Sequence, residues 1–206
     1  MDSYSAFNPI ILDKKTRLQK AKQIWSILDV HLKGQDIKKF KVLDIGCSSG
    51  VIANYLVEHF NLIYGIDTDP EAIKKAKQFS KKNVRFQVMD GTKTKFSQNS
   101  FDLVVCNQVY VLTDQKKLIK EIHRILKPRG ICLLTGRNKF KPVYVNNFDT
   151  SFLSFWQLKN LCHRFIIHYY TPKIIHNPKK FGFMDLARFQ FVLSFFIKIR
   201  SCCNVC

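Results

Sequence analysis

Hydrophobic positions in this chain follow two rhythms that alternate along its first two thirds. Between Asp13 and Leu32, the residues Leu18, Ala21, Ile24, Trp25 and Leu28 fall three and four apart, the spacing that lines one face of a helix. Short, nearly continuous apolar runs then alternate with amphipathic stretches. Lys41–Gly46, Leu62–Asp67, Val84–Met89, Phe101–Cys106 and Ile131–Thr135 read as strands. Ser49–Phe60, Pro70–Lys81 and Asp114–Leu126 read as helices, the second with proline in its first turn and the third stopped by Pro128 and Gly130. Strands lacking a polar face are covered on both sides, and right-handed crossovers between them wind the sheet twice. The predicted class is α/β: a doubly wound, mostly parallel sheet with helices on both faces and a C-terminal helical elaboration.

The final third breaks this rhythm. Ser151–Phe165 reads as a helix leading into a strand at Ile166–Tyr170. Asp185–Arg200 is apolar on nearly every face of a helix, is too short to span a bilayer, and carries Arg188, Lys198 and Arg200 beside its aromatics. Such a segment suits a lipid surface, or packing onto the domain or a second subunit. We therefore expect an N-terminal helical segment at 1–40, a ligand-binding domain at 41–172 and a basic, aromatic extension at 173–206.

Charge sharpens that division. Lys and Arg total 34 against 15 for Asp and Glu, a formal net charge of +19, and residues 137–206 hold 11 of the basic residues but two of the acidic ones. The same stretch holds 15 of the 27 aromatics. An anionic partner is expected, either a membrane surface or nucleic acid. Cys47, Cys106, Cys132 and Cys162 sit singly in apolar runs, as reduced thiols do, and the first nine residues lack the basic start and apolar run of a secretion signal. The expected location is the cytoplasm, with membrane association through the C-terminal segment. His163, His168 and His176 lack the grouping of a metal site, and Cys203 and Cys206 have no second pair, so no metal is expected.

In doubly wound sheets the ligand lies beyond the carboxyl ends of the strands. The loop after the first strand reads Asp44-Ile45-Gly46-Cys47-Ser48-Ser49-Gly50, and its two glycines let a ligand approach the main chain. Asp67 ends the second strand, where a carboxylate can take both hydroxyls of a ribose, and Asp90 ends the third, before Gly91. A dinucleotide fits poorly. Ser48 stands where the pyrophosphate would need glycine, and Asp44 would repel phosphate by about 1–4 kcal/mol. A phosphate-free ribose ligand with positive sulfonium and amino groups fits better, and S-adenosyl-L-methionine has that description.

Val42-Leu43-Asp44-Ile45-Gly46-Cys47-Ser48-Ser49-Gly50, Gly65-Ile66-Asp67, Met89-Asp90-Gly91, Phe101–Asn107 and Leu126-Lys127-Pro128-Arg129-Gly130 together resemble the successive motifs of the class I S-adenosylmethionine-dependent methyltransferases. The resemblance spans roughly residues 40–136 and keeps order and spacing. It implies that Gly46, Cys47, Ser48 and Gly50 hold the methionine end of the cofactor with Asp44 beneath. Asp67, next to Thr68, holds the ribose. Asp90 accepts from the adenine amino group, Met89 and Gly91 line the ring, and Asn107 and Gln108 close the site near the sulfonium. The chain departs from many relatives after the fourth strand, where it reads Gln108-Val109-Tyr110 in place of a Glu-His pair. Tyr110 and the late histidines are the remaining acid/base candidates, and no catalytic residue is assigned. The expected activity is methyl transfer to a small or lipid- or glycan-linked acceptor. An RNA or protein methyltransferase and a non-catalytic cofactor-binding scaffold are the alternatives.

Overall fold

The computed structural model describes residues 14–109, 112–137, 165–170 and 192–199, the last two stretches as backbone strands. Helix α1 spans Lys14–Leu32 and buries Ala21, Ile24, Ile27, Leu28 and Leu32. Leu18, expected on that face, is 38% exposed. A 3-10 turn at Ile37–Lys39 leads into β1, Lys41–Ile45. Then follow α2 (Val51–Leu56), β2 (Leu62–Asp67), α3 (Pro70–Gln78) and β3 (Val84–Val88). The third helix starts where the sequence requires. The Asp69 side chain accepts from the Glu71 and Ala72 amides, and Pro70 supplies a first-turn φ that needs no N–H.

Strand β4 (Phe101–Asn107) leads to α4 (Gln115–Ile125), capped by the Asp114 side chain. Strand β5 (Leu126–Arg137) follows at once. Pro128 and Gly130 thus do not end the helix as expected. They lie where the β4–β5 register jumps, Phe101 pairing with Leu126 but Leu103 with Ile131. Strands β6 (Phe165–Tyr170) and β7 (Val192–Ile199) complete the sheet.

The sheet order is β3-β2-β1-β4-β5-β7-β6. Strands β1 to β5 run parallel, and β7 lies antiparallel between β5 and β6. The doubly wound sheet is therefore as expected, but residues 192–199 are strand rather than part of a helical extension. Leu133 pairs with Phe196 on one side of β7, and Ile167 pairs with Ile197 on the other. An apolar run of this length suits a strand flanked by two others as well as a helix, and periodicity alone does not separate them. The expected helix at 151–165 falls, up to residue 164, outside the described residues, as do Tyr110, His163, His176 and the terminal cysteines.

Two apolar layers hold the sheet. Val42, Leu103 and Val105 face Ala21, Ile24 and Leu28 of α1 and Ile52 and Leu56 of α2. Leu43, Ile45, Val104 and Cys106 face Leu118, Ile119 and Ile122 of α4. This division follows the two-residue period of a strand. Glu121 of α4 ties the loop after β3 to this layer. It accepts from the Thr94 amide (2.8 Å) and hydroxyl, and from Arg124 Nε (2.8 Å) and Nη2 (2.6 Å). Arg124 also donates to the Phe96 carbonyl at 2.8 Å. Cys47, Cys106 and Cys132 are buried. No helix among the described residues is long and apolar enough to cross a membrane.

Candidate functional site

Strand order reverses beside β1: the chain runs outward to β2 and β3, then returns to β4 on the other side. The crevice at the carboxyl ends of β1 and β4 is where such sheets take ligands. Register levels the ends, with Ile45 opposite both Ile66 and Cys106 and Asp67 opposite Val88.

The β1 loop turns sharply. Gly46, Ser48 and Gly50 all have positive φ, at 73°, 47° and 76°. The Gly46 and Cys47 amides both donate to the Ile66 carbonyl, at 2.8 and 3.0 Å. A Cβ on Gly46 would overlap the Val109 side chain, so the loops after β1 and β4 touch here. Gly50 is buried, and a Cβ there would run into the Phe86 ring of β3. It allows the start of α2 to pack on the sheet. The Cys47 side chain is buried in the α1–α2 layer with its Sγ toward Gly65. Burial, and then Asp44 and Asp67, hold its thiol well above the usual range.

Asp67 anchors the loop. Its Oδ2 accepts from the Ser48 amide at 2.8 Å and its Oδ1 from the Asp69 amide at 3.0 Å. The Ser48 contact offsets the left-handed conformation of a residue that is not glycine. Each carboxylate oxygen has a second acceptor position for a ribose hydroxyl. Thr68 beside it is exposed.

Asp44 differs from the acid at an open cleft that its place before the turn suggests. It lies inside β1, 1% exposed, and neither carboxylate oxygen has a hydrogen-bond partner among the described residues. Burial pushes its pKa up to about 7. The charge of Arg17 on α1 opposes that rise and the charge of Asp67 adds to it. The Ala53 amide of α2 also favours the carboxylate, without closing a hydrogen bond.

The third loop reaches the same place. A Cβ on Gly91 would meet Ile45 Cγ2 at 2.5 Å, so this loop rests on the end of β1. Asp90 is exposed and turns the chain, with its Oδ1 accepting from the Thr92 amide at 2.8 Å. Met89 is half-buried, and its amide donates to the Asp67 carbonyl at 2.9 Å. Across the crevice, Asn107 Oδ1 accepts from the Thr135 hydroxyl at 2.6 Å. The Gln108 amide donates to the Thr135 carbonyl at 2.8 Å, which holds Gln108 at a φ of 63°.

All twelve expected residues thus lie on loops and strand ends at one edge of the sheet. Two contributors were missed. Arg17 reads in sequence as one more cation on a polar helix face. Thr135 carried a faint signal, as a hydroxyl closing the apolar run Ile131–Leu134.

A doubly wound sheet with one antiparallel strand inserted near its edge, bearing acids and a glycine turn where strand order reverses, places the chain among the α/β proteins whose ligands lie at the strand ends. Residues 43–134 match the methyltransferase domain family. The chain is 27% identical over 149 residues to the ubiquinone biosynthesis O-methyltransferase of Rickettsia canadensis, covering 71% of this chain and 58% of that one. It is 32% identical over 123 residues to phosphoethanolamine N-methyltransferase 3 of Arabidopsis thaliana, covering 57% and 24%. The chain therefore spans only part of the length of these relatives. Its fold is similar to that of a Haloferax volcanii methyltransferase solved in complex with the Trm112 methyltransferase activator, with a TM-score of 0.72, 17% identity, and 97% and 99% of the two chains covered. Residues 43–134, just under half of the chain, thus carry the likeness to methyltransferase domains, and the fold is that of the solved methyltransferase.

Proposed function

We propose that this chain transfers a methyl group from S-adenosyl-L-methionine to a small or lipid-linked acceptor. The carrying observation is the pair of neighbouring acids at the β1 and β2 ends, Asp44 without donors and Asp67 bonded to the turn. Two acids and a glycine turn suit a cationic, phosphate-free nucleoside and disfavour a pyrophosphate. In this reading the backbone of Gly46, Cys47 and Ser48 receives the methionine end, with Asp44 beneath it and Gly50 shaping the turn. Asp67 and Thr68 take the ribose, and Met89, Asp90 and Gly91 take the adenine. Asn107 and Gln108, braced by Thr135, face the reacting end.

When bound, the cofactor supplies a methyl carbon activated by a positive sulfur. The chain's own residues orient that carbon and exclude water, and positioning of this kind accounts for effective molarities on the order of 10⁵ M in favourable cases. The names of the two relatives, one for ubiquinone biosynthesis and one for phosphoethanolamine, support an acceptor of small or lipid-related chemistry. The net charge of +19 supports an anionic surface as the place where the acceptor is met.

The same charge supports a second reading, an RNA or protein acceptor, and the activator-bound Haloferax neighbour supports an activator subunit as partner. One assay separates the two. Transfer from methyl-labelled cofactor is measured over lipid extracts, phenolic and amine metabolites, RNA and protein. Label in the organic-soluble fraction supports the leading reading, and label in RNA or protein replaces it with the second. Cofactor binding with no label in any fraction identifies a scaffold.

A further inference from the structure

The outer edge of the sheet carries a surface that the candidate site does not use. Strand β3 ends the sheet order and pairs with β2 alone. From α3 through β3 to the loop beyond it, residues 71–95 hold eight basic residues against two acidic ones. All eight are exposed, and among the described residues only Lys81 of the eight has an ion pair, with Glu58. Phe79 caps α3 in their midst. It is 75% exposed, the most exposed large apolar side chain among the described residues, while Ala72, Ile73 and Ala76 of the same helix are buried. Val88, at the far end of β3, is 53% exposed.

Lysines at a sheet edge commonly keep other strands from adding to it. That accounts for the charge but not for an aromatic ring left in water beside it. Cations around an exposed aromatic suit a surface that is anionic outside and apolar beneath. Seven of the eight cations are lysine. The compact, strongly hydrated lysine charge suits a diffuse layer of headgroups, whereas nucleic-acid recognition favours the planar, stacking guanidinium of arginine. Val88 is aliphatic and offers a base no ring to stack on.

We propose that the β3 edge docks on an anionic phospholipid bilayer, with Phe79 entering the headgroup region and Lys75, Lys77 and Lys82 lying beside headgroup phosphates. The inference rests on the reading that the acceptor is met at an anionic surface, and it names the face that meets it. The sequence alone suggested the C-terminal segment for this contact. Docking through β3 instead brings the cleft loop at residues 89–91, which follows Val88, toward the lipid.

The test is co-sedimentation of the whole chain with two kinds of vesicle, phosphatidylcholine alone and phosphatidylcholine mixed equally with phosphatidylglycerol. Binding to the anionic vesicles only is expected, weakening as salt is raised. Each cation near such a surface is worth about fivefold in affinity, so Lys75→Gln, Lys77→Gln and Lys82→Gln combined should lose on the order of 100-fold. Phe79→Ser should lose about tenfold. Lys116→Gln, Lys117→Gln and Lys120→Gln combined remove the same charge from exposed positions on α4 and should lose about fivefold at most. In the unmutated chain, acetylation of Lys75, Lys77 and Lys82, read by mass spectrometry, should slow on vesicle binding, a readout that needs no variant to fold. Parent affinity in the β3-edge variant, an equal loss in the α4 variant, or unchanged acetylation overturns the inference and leaves the anionic-surface reading intact. Binding to neither vesicle overturns both. Tighter binding to single-stranded polyuridylate, lost in the β3-edge variant, overturns the inference in favour of a nucleic acid.

Discussion

Two buried acids in this protein sit in opposite circumstances. Glu121, on α4, is 9% exposed and accepts four hydrogen bonds from Thr94 and Arg124. Burial alone would raise its pKa, but those bonds and the Arg124 charge outweigh it and hold the carboxyl below the usual range. Asp44 is buried more deeply, accepts none, and is pushed up to about 7. The cost of burying a carboxylate is general, and what differs is whether the fold supplies donors. At Glu121 the donors are built in and the acid fastens a loop to a helix. At Asp44 no donor among the described residues does so, and the carboxyl is pushed up instead.

The contrast predicts opposite responses to pH and mutation. A carboxyl at about 7 in the folded chain and near 3.8 unfolded makes the folded state bind more protons between those values. Stability from Asp44 is therefore full below pH 4 and is lost as pH rises to 7, by about 4 kcal/mol. Asp44→Asn should remove this slope, leaving the free chain at pH 8 more stable than the parent by up to that amount. Urea unfolding of both proteins at pH 5 and pH 8 measures it, and a parent-like slope in the variant would erase the distinction.

Glu121→Ala should act in reverse. It strands the Thr94 and Arg124 donors and should cost about 1–3 kcal/mol at pH 7. That loss should fade as pH falls through the lowered pKa of the parent's Glu121, because the parent then forfeits the same bonds. Cofactor affinity in calorimetry should stay at the parent value. A drop of tenfold or more would place Glu121 in the binding machinery.

Asp67→Ala lies between the two acids, since Asp67 both anchors the turn and offers open acceptor positions. Cofactor binding should weaken by about 1–3 kcal/mol in calorimetry. Unchanged affinity would mean that the ribose is held elsewhere. The smallest expected effect is that of Thr135→Val, which takes one donor from Asn107 and should weaken cofactor binding by about 1 kcal/mol or less. Comparing cofactor affinities of parent and variant checks it, and an unchanged value would show that Asn107 holds its place without Thr135.

The sequence alone determined the five parallel strands, the helix starts at Pro70 and Asp114, and the turn between Asp44 and Gly50. Each depends on residues near in the chain: a two-residue or 3.6-residue period, a capping carboxylate, a glycine at a left-handed position. It also placed Asp67 and Asn107 at strand ends, because strand boundaries are local, whereas Asp90, expected to end the third strand, lies two residues beyond Val88. Only the tertiary structure decided that Val192–Ile199 is a strand, since its partners lie near residues 131 and 166. It likewise decided that Cys47 and Gly50 serve the core with their side-chain positions, and that Thr135 braces Asn107 from the next strand. The raised pKa of Asp44 belongs to the same group. It arises from water removed by α1, α2 and the neighbouring strands together, and desolvation is a sum over parts of the chain that no local pattern records.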